Sequence, residues 1–390
     1  MTTRSVSPGV APAPLSYQPA PVAPRTQRLL SLDALRGFDM FWIVGGEGIV
    51  EGLAKSPLGQ TGPVRLLASQ FEHSAWQGVT FYDLIFPLFV FIVGVSLVFS
   101  LSKAIDRDGK AAALRRVFVR GIVLYLLGIL YYGGIGDPQG IQHIRLMGVL
   151  QRIALAYFFA ALIFCFFKPR AMIGITAGLL IGYWALMTFV HVPGEQQHSW
   201  AEGHNLANYL DRMYLKWRKW DGDHDPEGLL STIPAIGTCM LGVFAGMLLM
   251  NGRVRPSRKV LWLLGAGAAS VVLGFLWGLQ FPVIKKIWTS SYVLVAGGYG
   301  AMLLAIFYLV IDVWNLRRWA TPFVWIGMNA ITLYLAENLF SFHDLALRFV
   351  GGDVANHMGA WSLLAANTLA VIFVLLLARF LYKRQIFLRV

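Results

Sequence analysis

Charge is scarce in this chain, and acidic charge is scarcer than basic. Only 14% of its 390 residues are charged, with 20 Asp and Glu against 33 Lys and Arg. An average soluble domain is about one quarter charged. A chain so poor in charge has too much apolar surface to hide in a water-soluble body, which excludes an ordinary soluble domain and makes the bilayer its natural solvent. Cysteine is nearly absent as well. Cys165 and Cys239 both fall inside apolar stretches, so neither a disulfide framework nor a Cys/His zinc set is implied. The Gly-rich phosphate loops of nucleotide-binding folds are missing, as is a Ser-centred nucleophile elbow. No signal-peptide layout opens the chain. Residues 1–27, rich in Pro, Ala and Ser at their start, read as a disordered cytoplasmic tail.

Apolar length is abundant. Hydrophobic residues make up 57% of the chain, and its mean hydropathy is +0.60. Ten segments approach the ~20 residues that a helix needs to cross the hydrocarbon. They run over 34–54, 81–102, 117–134, 147–167, 171–191, 232–250, 260–279, 291–311, 319–339 and 360–381. The 40 glycines suit closely packed membrane helices. The expected fold is therefore an all-α polytopic bundle of about ten transmembrane helices, with 28–390 as a single domain. Lys and Arg collect in alternate loops, for example Lys103, Arg107, Lys110, Arg115 and Arg116, then Arg253, Arg255, Arg258 and Lys259. By the positive-inside rule these loops and both termini are cytoplasmic. The same distribution explains the net charge of +13 without invoking nucleic acid. A multi-pass membrane protein is expected.

The histidines all fall in or near the opposite set of loops. His73 stands out, in Phe71-Glu72-His73-Ser74-Ala75-Trp76-Gln77-Gly78, just before an apolar stretch that opens Phe81-Tyr82-Asp83. An imidazole there can accept or donate a proton near neutral pH. Asp83 either orients that ring or caps the helix that follows it. Asp33, Arg36 and Asp39 share one helical face and read as a neutralised cluster. Glu47 lies roughly 16 Å deeper than Arg36 at 1.5 Å per residue, and a carboxylate at that depth is a functional-site hypothesis. Arg145 and Arg152 depart from the positive-inside trend, so each wants an anionic partner: a phosphate, or Glu47 or Asp83. Asp225-Pro226-Glu227 reads either as an acidic helix start with Pro in the first turn or as a set of acceptors for an amine or for sugar hydroxyls. Asn329, Glu337 and Asn338 lie on the ninth segment, the last two approaching the same face as His73. The aromatic loop 192–231 suits carbohydrate or the membrane interface.

Ser31-Leu32-Asp33-Ala34-Leu35-Arg36-Gly37-Phe38-Asp39-Met40, His73-Ser74-Ala75-Trp76-Gln77-Gly78, Gly148-Val149-Leu150-Gln151-Arg152, Asp225-Pro226-Glu227-Gly228 and Gly327-Met328-Asn329-Ala330 occur in this order. Together they resemble the heparan-α-glucosaminide N-acetyltransferase family, most closely its short bacterial NagX-type members without a large luminal domain. The resemblance implies transfer of acetyl from cytoplasmic acetyl-CoA to the amine of a glucosamine unit across the membrane, with His73 as the active histidine. It also implies that Glu47 stands where animal members carry an asparagine. On this reading the catalytic candidates are His73, Glu47 and Asp83. Trp76, Asp225, Glu227, Asn329 and Asn338 are candidates for the acceptor, and Arg36, Arg145 and Arg152 for the coenzyme. Neither a metal nor a nucleic acid is expected, and a homodimer is plausible by resemblance. The rival reading is an amino-sugar transporter, in which the same buried polar groups line a transport path.

Overall fold

A computed structural model describes residues 29–134, 140–195 and 199–388. The tail expected over 1–27 lies outside the described residues. Within them the regular structure is all helical, and strand pairing is confined to one isolated bridge between Gln77 and Ile284.

The segment expected to cross first is broken. Helix α1 (Leu30–Phe41) runs into a wide π turn at Trp42–Gly46, where Val44 and Gly45 leave helical angles, and α2 (Glu47–Lys55) follows. The short helix α3 (Gly62–Phe71) leads to the His73 loop. Helix α4 (Ile85–Tyr131) joins two of the expected segments across a break. Between them Gly109 adopts φ +80°, ψ 166°, a conformation that only glycine holds easily. The break falls inside the Lys- and Arg-rich stretch where a loop was expected. Helices α5 (Val149–Phe166) and α6 (Pro169–Phe189) come next. Helix α7 (Leu206–Tyr214) lies in the long polar loop, and α8 (Thr232–Met250), α9 (Pro256–Gly278) and α10 (Ser290–Phe307) follow it.

The ninth expected segment is bent by 68° between α11 (Thr321–Met328) and α12 (Ala330–Phe340). Short helices α13 (Phe342–Val350) and α14 (Asp353–Met358) precede α15 (Ser362–Lys383). Seven helical runs are long and apolar enough to cross a bilayer, or eight if the bent pair is one span. With the bent pair counted as one span, the two segments that separate eight from ten are accounted for by two features. The run through Gly109 holds two expected segments, and the π turn leaves α1 and α2 each too short to cross alone.

Small residues set the helix spacing. Where α4 crosses α8, a Cβ on Gly94 would overlap the Cys239 carbonyl, and one on Gly242 would overlap the Phe91 carbonyl. The two backbones therefore touch, as membrane helices do when no larger side chain intervenes. Around this contact Val90, Val98, Cys239, Met240 and Val243 are buried in one core cluster. The close packing fixes α4 rigidly, and α4 carries parts of both cavities described next.

Candidate active site

The His73 loop is stitched to a loop distant in sequence. Gln77 bridges Ile284, and the Gly78 N–H donates to the Val283 carbonyl at 2.9 Å. The partner loop is a tight turn. Thr289 N–H donates to the Ile284 carbonyl at 3.2 Å, and the Thr289 hydroxyl accepts from Ile284 and Tyr292 backbone N–H groups. Trp288 takes a left-handed φ of +50°, its ring buried and its indole N–H held by Thr238 Oγ1 at 3.0 Å. This turn aims Lys285 at the histidine.

The result is a three-membered cluster. His73 Nδ1 lies 2.8 Å from Asp83 Oδ1. Lys285 Nζ lies 3.1 Å from that oxygen and 3.0 Å from Nδ1. Asp83 is buried, and its second oxygen accepts from the backbone N–H groups of Ser74 and Thr80. Its oxygens are thus committed to the His73 loop and not to the helix behind it, where no side-chain cap forms. Of the two sequence alternatives the geometry shows the orienting one. Burial pushes the Lys285 ammonium below its ordinary range, and Asp83 pulls it back. Tyr82 lies against His73, ring centroids 4.9 Å apart, and donates its hydroxyl to Glu47. Glu47 therefore reaches the imidazole through one tyrosine.

These groups open on a cavity of about 330 Å³, lined also by Trp76, Tyr132, Arg145, Trp220, Glu227 and Tyr334. Its far wall is an ion cluster. Arg145 donates to Asp225 through two nitrogens, at 2.8 and 2.6 Å, and to Glu227 at 2.5 Å. The Tyr132 and Trp220 rings face its guanidinium at 4.5 and 5.0 Å. Burial opposes the charge on Arg145, but the two carboxylates hold it above its ordinary range. Arg152 donates to the Ser231 hydroxyl and lies over the Trp288 ring at 4.7 Å.

The expected pairing of Arg145 with Glu47 or Asp83 is thus corrected. Its partners are on the 225–227 turn, which helix periodicity alone could not place. The acidic helix-start reading of that turn is corrected too, since α8 begins only at Thr232. Asp211 on α7 instead holds the turn, accepting from the Leu229 backbone N–H at 2.8 Å and from that of Asp225 at 3.4 Å.

A second cavity of about 260 Å³ is lined by Arg36, Ser96, Ser100, Arg120, Tyr157 and Asn329. It stacks on the first along the same helices. Phe86, Val149 and Tyr334 face the histidine cavity, while Phe89, Leu150 and Ile331 face this one. From Asp83 to Ser100 the two cavities follow α4 for roughly 26 Å at 1.5 Å per residue. Arg36 bonds Ser96 Oγ at 2.5 Å and lies 3.7 Å from Asp33. Asp39 does not join them. It is fully buried, and neither of its oxygens has a hydrogen-bond partner among the described residues, so the expected three-residue cluster is reduced to two.

The sequence candidates therefore divide. His73, Asp83, Trp76, Arg145 and Glu227 line the first cavity; Glu47 backs it through Tyr82, and Asp225 backs it through Arg145. Arg36 and Asn329 line the second. Asn338 is exposed and lines neither cavity, because the bend after Met328 redirects α12. Lys285, Tyr82 and Arg120 were missed. A Lys pair at 285–286, in a loop opposite the arginine-rich ones, was a readable exception to the charge rule. Arg120 was an unflagged cation inside an apolar segment.

Glu202, Asp221 and His224 bring metal-ligand atoms within 4.8 Å of one another, but Lys286 already lies 2.7 Å from Glu202 and 3.0 Å from Asp221. The chain itself supplies the cation there. Burial alone would raise the Glu202 carboxyl, yet Lys286 and His224 draw it below its usual range.

Comparison with known proteins bears on this arrangement. The chain is 29% identical to heparan-alpha-glucosaminide N-acetyltransferase of Mus musculus over 387 aligned residues, covering 81% of this chain and 56% of the relative. Against the protein of the same name from Homo sapiens it is 29% identical over 382 residues, covering 81% and 55%. It thus spans little more than half the length of these relatives. The family described as "Heparan-alpha-glucosaminide N-acetyltransferase, catalytic" matches residues 28–275, which include His73, Asp83, Arg145 and the 225–227 turn. A match over more than half of the sequence settles the family: this chain belongs to the heparan-alpha-glucosaminide N-acetyltransferase catalytic family.

Proposed function

We propose that the protein is a membrane-embedded N-acetyltransferase that moves acetyl from acetyl-CoA to the amine of a glucosamine-type sugar. The observation that carries this reading is the stacking of a basic cavity on a histidine cavity along the same three helical segments. The arginine cavity suits the coenzyme. The Arg120 Nε and the Asn329 Oδ1 are buried there without hydrogen-bond partners among the described residues. Arg36 and Arg120 offer guanidinium forks that match phosphate oxygens. When bound, the coenzyme supplies an activated acetyl thioester. In this reading the basic cavity opens to the cytoplasm and the histidine cavity to the opposite face of a bacterial inner membrane.

The chain's own residues then carry the proton. With Nδ1–H donated to Asp83, His73 keeps a lone pair on Nε2. That nitrogen takes the proton from the sugar amine as the amine attacks the thioester carbonyl. The C–N bond forms, the C–S bond breaks, and the imidazolium returns its proton to the departing sulfur. Tyr82, fixed by Glu47, holds the ring plane. Trp76, Tyr132 and Trp220 supply aromatic faces for a sugar ring, and Glu227 supplies an acceptor for its hydroxyls. Arg145 serves this cavity as wall and not as a phosphate ligand, since Asp225 and Glu227 already engage it, while Arg152 is buried behind the wall, bound to Ser231 through one nitrogen with its other two unpaired among the described residues.

The relatives are named as transferases and not carriers, which favours transfer over amino-sugar transport. The test is transfer of radiolabelled acetyl from acetyl-CoA to a panel of amino sugars by the purified protein, with His73→Ala as control. Transfer that survives this substitution removes the enzyme as described. Counterflow of labelled N-acetylglucosamine in vesicles free of acetyl-CoA would favour the carrier.

A further inference from the structure

We propose that Lys285 is a positioning residue for acetyl transfer: its ammonium balances Asp83, so that His73 is oriented by a carboxylate without being held in its protonated form. The proposal deepens the reading of His73 as the proton acceptor and rests on it.

The argument begins with what Asp83 does alone. A buried carboxylate 2.8 Å from an imidazole nitrogen fixes the ring and its tautomer. It also strongly favours the charged imidazolium. An imidazolium has no lone pair for the incoming amine's proton, so a bare His–Asp pair orients the base while confining its action to higher pH. Lys285 removes the conflict. Its Nζ is 3.1 Å from the same Asp83 oxygen and 3.0 Å from Nδ1. At these distances its charge opposes a second positive charge on the ring. Asp83 and Lys285 together are neutral. His73 therefore feels the hydrogen bond of the carboxylate with little of its field.

The other groups facing the ring do not upset this balance. Tyr82 stacks on it and passes its hydroxyl to Glu47. Across the cavity, Glu227 is matched by Arg145. Lys286, next in sequence, lines the same cavity but is bound by Glu202 and Asp221. The position of Lys285 is built and not incidental. The Gln77–Ile284 bridge and the Thr289-capped turn hold it against His73. Its ammonium must stay charged for this role, and Asp83 provides for that while burial works against it. A neutral amine at this point would also compete with the sugar amine for the acetyl group.

The experiment measures kcat/KM against pH from 5.5 to 9 for the full-length protein in detergent, with acetyl-CoA and glucosamine as probes. The proteins are wild type, Lys285→Met, Lys285→Arg and the double variant Lys285→Met with Asp83→Asn. Loss of the cation should move the acid limb up by about one pH unit. Activity at pH 6 then falls roughly tenfold, and the alkaline plateau falls much less. Lys285→Arg should restore the wild-type limb. The double variant, neutral again, should return the limb toward wild type while its plateau drops, because the ring has lost its orienting carboxylate.

Carbethoxylation of His73 against pH reads the free imidazole without turnover and should show the same shift. An acid limb that does not move, or moves down, in Lys285→Met overturns the proposal. So does a uniform loss at every pH that Lys285→Arg does not rescue. These outcomes are distinct from failure of the enzyme reading. That failure would appear as no transfer by the wild type, or as transfer that survives His73→Ala.

Discussion

The two cavities along α4 differ in how their polar atoms are satisfied. Around His73 the polar groups answer one another: Asp83 with His73 and Lys285, Glu47 with the Tyr82 hydroxyl, Arg145 with Asp225 and Glu227. Around Arg36 the account is left open, with Arg120 Nε and Asn329 Oδ1 buried and unpaired among the described residues. Buried polar groups are normally paired, and each exception needs a reason. A self-satisfied cluster has fixed directions and suits proton transfer, which depends on alignment. The unpaired Arg120 N–H, a donor in a basic pocket, suits the binding of an anion brought from outside. The comparison thus separates a place for chemistry from a place for holding, and kinetics can break it.

The largest effect should come from the imidazole. His73→Ala is expected to lower kcat about a thousandfold, within the range for a general base. Binding of CoA, measured by calorimetry, should stay near wild type because the arginine cavity is untouched. If affinity for CoA collapsed together with kcat, the two cavities would not be functionally separable.

Next is the wall of the histidine cavity. Arg145→Met leaves Asp225 and Glu227 buried near each other without the cation that hydrogen-bonds both. Removing one partner of a buried ion cluster typically destabilises by roughly 3–5 kcal/mol. A fall in apparent melting temperature is expected. Adding Asp225→Asn and Glu227→Gln should recover much of it, since the excess negative charge is then gone. A single variant that melts like wild type would mean that the cluster is not structural.

The arginine cavity should answer with affinity in place of rate. Arg120→Gln removes one charged donor, an interaction of about 1.5–3 kcal/mol. The expected result is a rise in KM for acetyl-CoA of at least about tenfold, with kcat nearly unchanged. The mirror outcome, a drop in kcat at constant KM, would move Arg120 from holding to chemistry and erase the distinction. Asn338→Ala, on the exposed turn of α12, should change neither.

How much of this the sequence carried follows from the range of each interaction. The helices were legible because apolar runs are local. The break at Gly109 was foreshadowed by the charge cluster around it. His73 and Asp83 were legible because they flank the start of one apolar run, ten residues apart. Lys285 was not, because it reaches Asp83 from about two hundred residues away through the Gln77–Ile284 bridge, and no local pattern encodes that pairing. Arg145 was recognised as needing an anion, but its partners lie in a turn whose tertiary position is set by Asp211. Asn329, a candidate for the acceptor, lines the second cavity and not the His73 cavity, a placement hidden because the segment reads as one straight span. The 68° bend at that residue leaves it facing Arg36 and sends Asn338 outward.

The smallest effect sharpens the comparison from below, because Asp211 holds the turn that carries Asp225 and Glu227. Burial pushes its carboxyl up to about 6, outweighing the backbone N–H groups of Leu229 and Asp225 that favour the ionised form. In the unfolded chain the same group titrates near the ordinary value of 3.8. The folded protein therefore binds the proton more tightly. The stabilisation from this group is full below the unfolded value and is lost as pH rises through about 6. Between pH 5 and pH 8 the loss amounts to about 1 kcal/mol by linkage. The apparent melting temperature of wild type should decline over that interval, and Asp211→Asn, which keeps an oxygen acceptor without the charge, should show a flatter profile. If both decline in parallel, the turn is held independently of this proton, and the self-satisfied character of the histidine cavity rests on its Arg145 cluster alone.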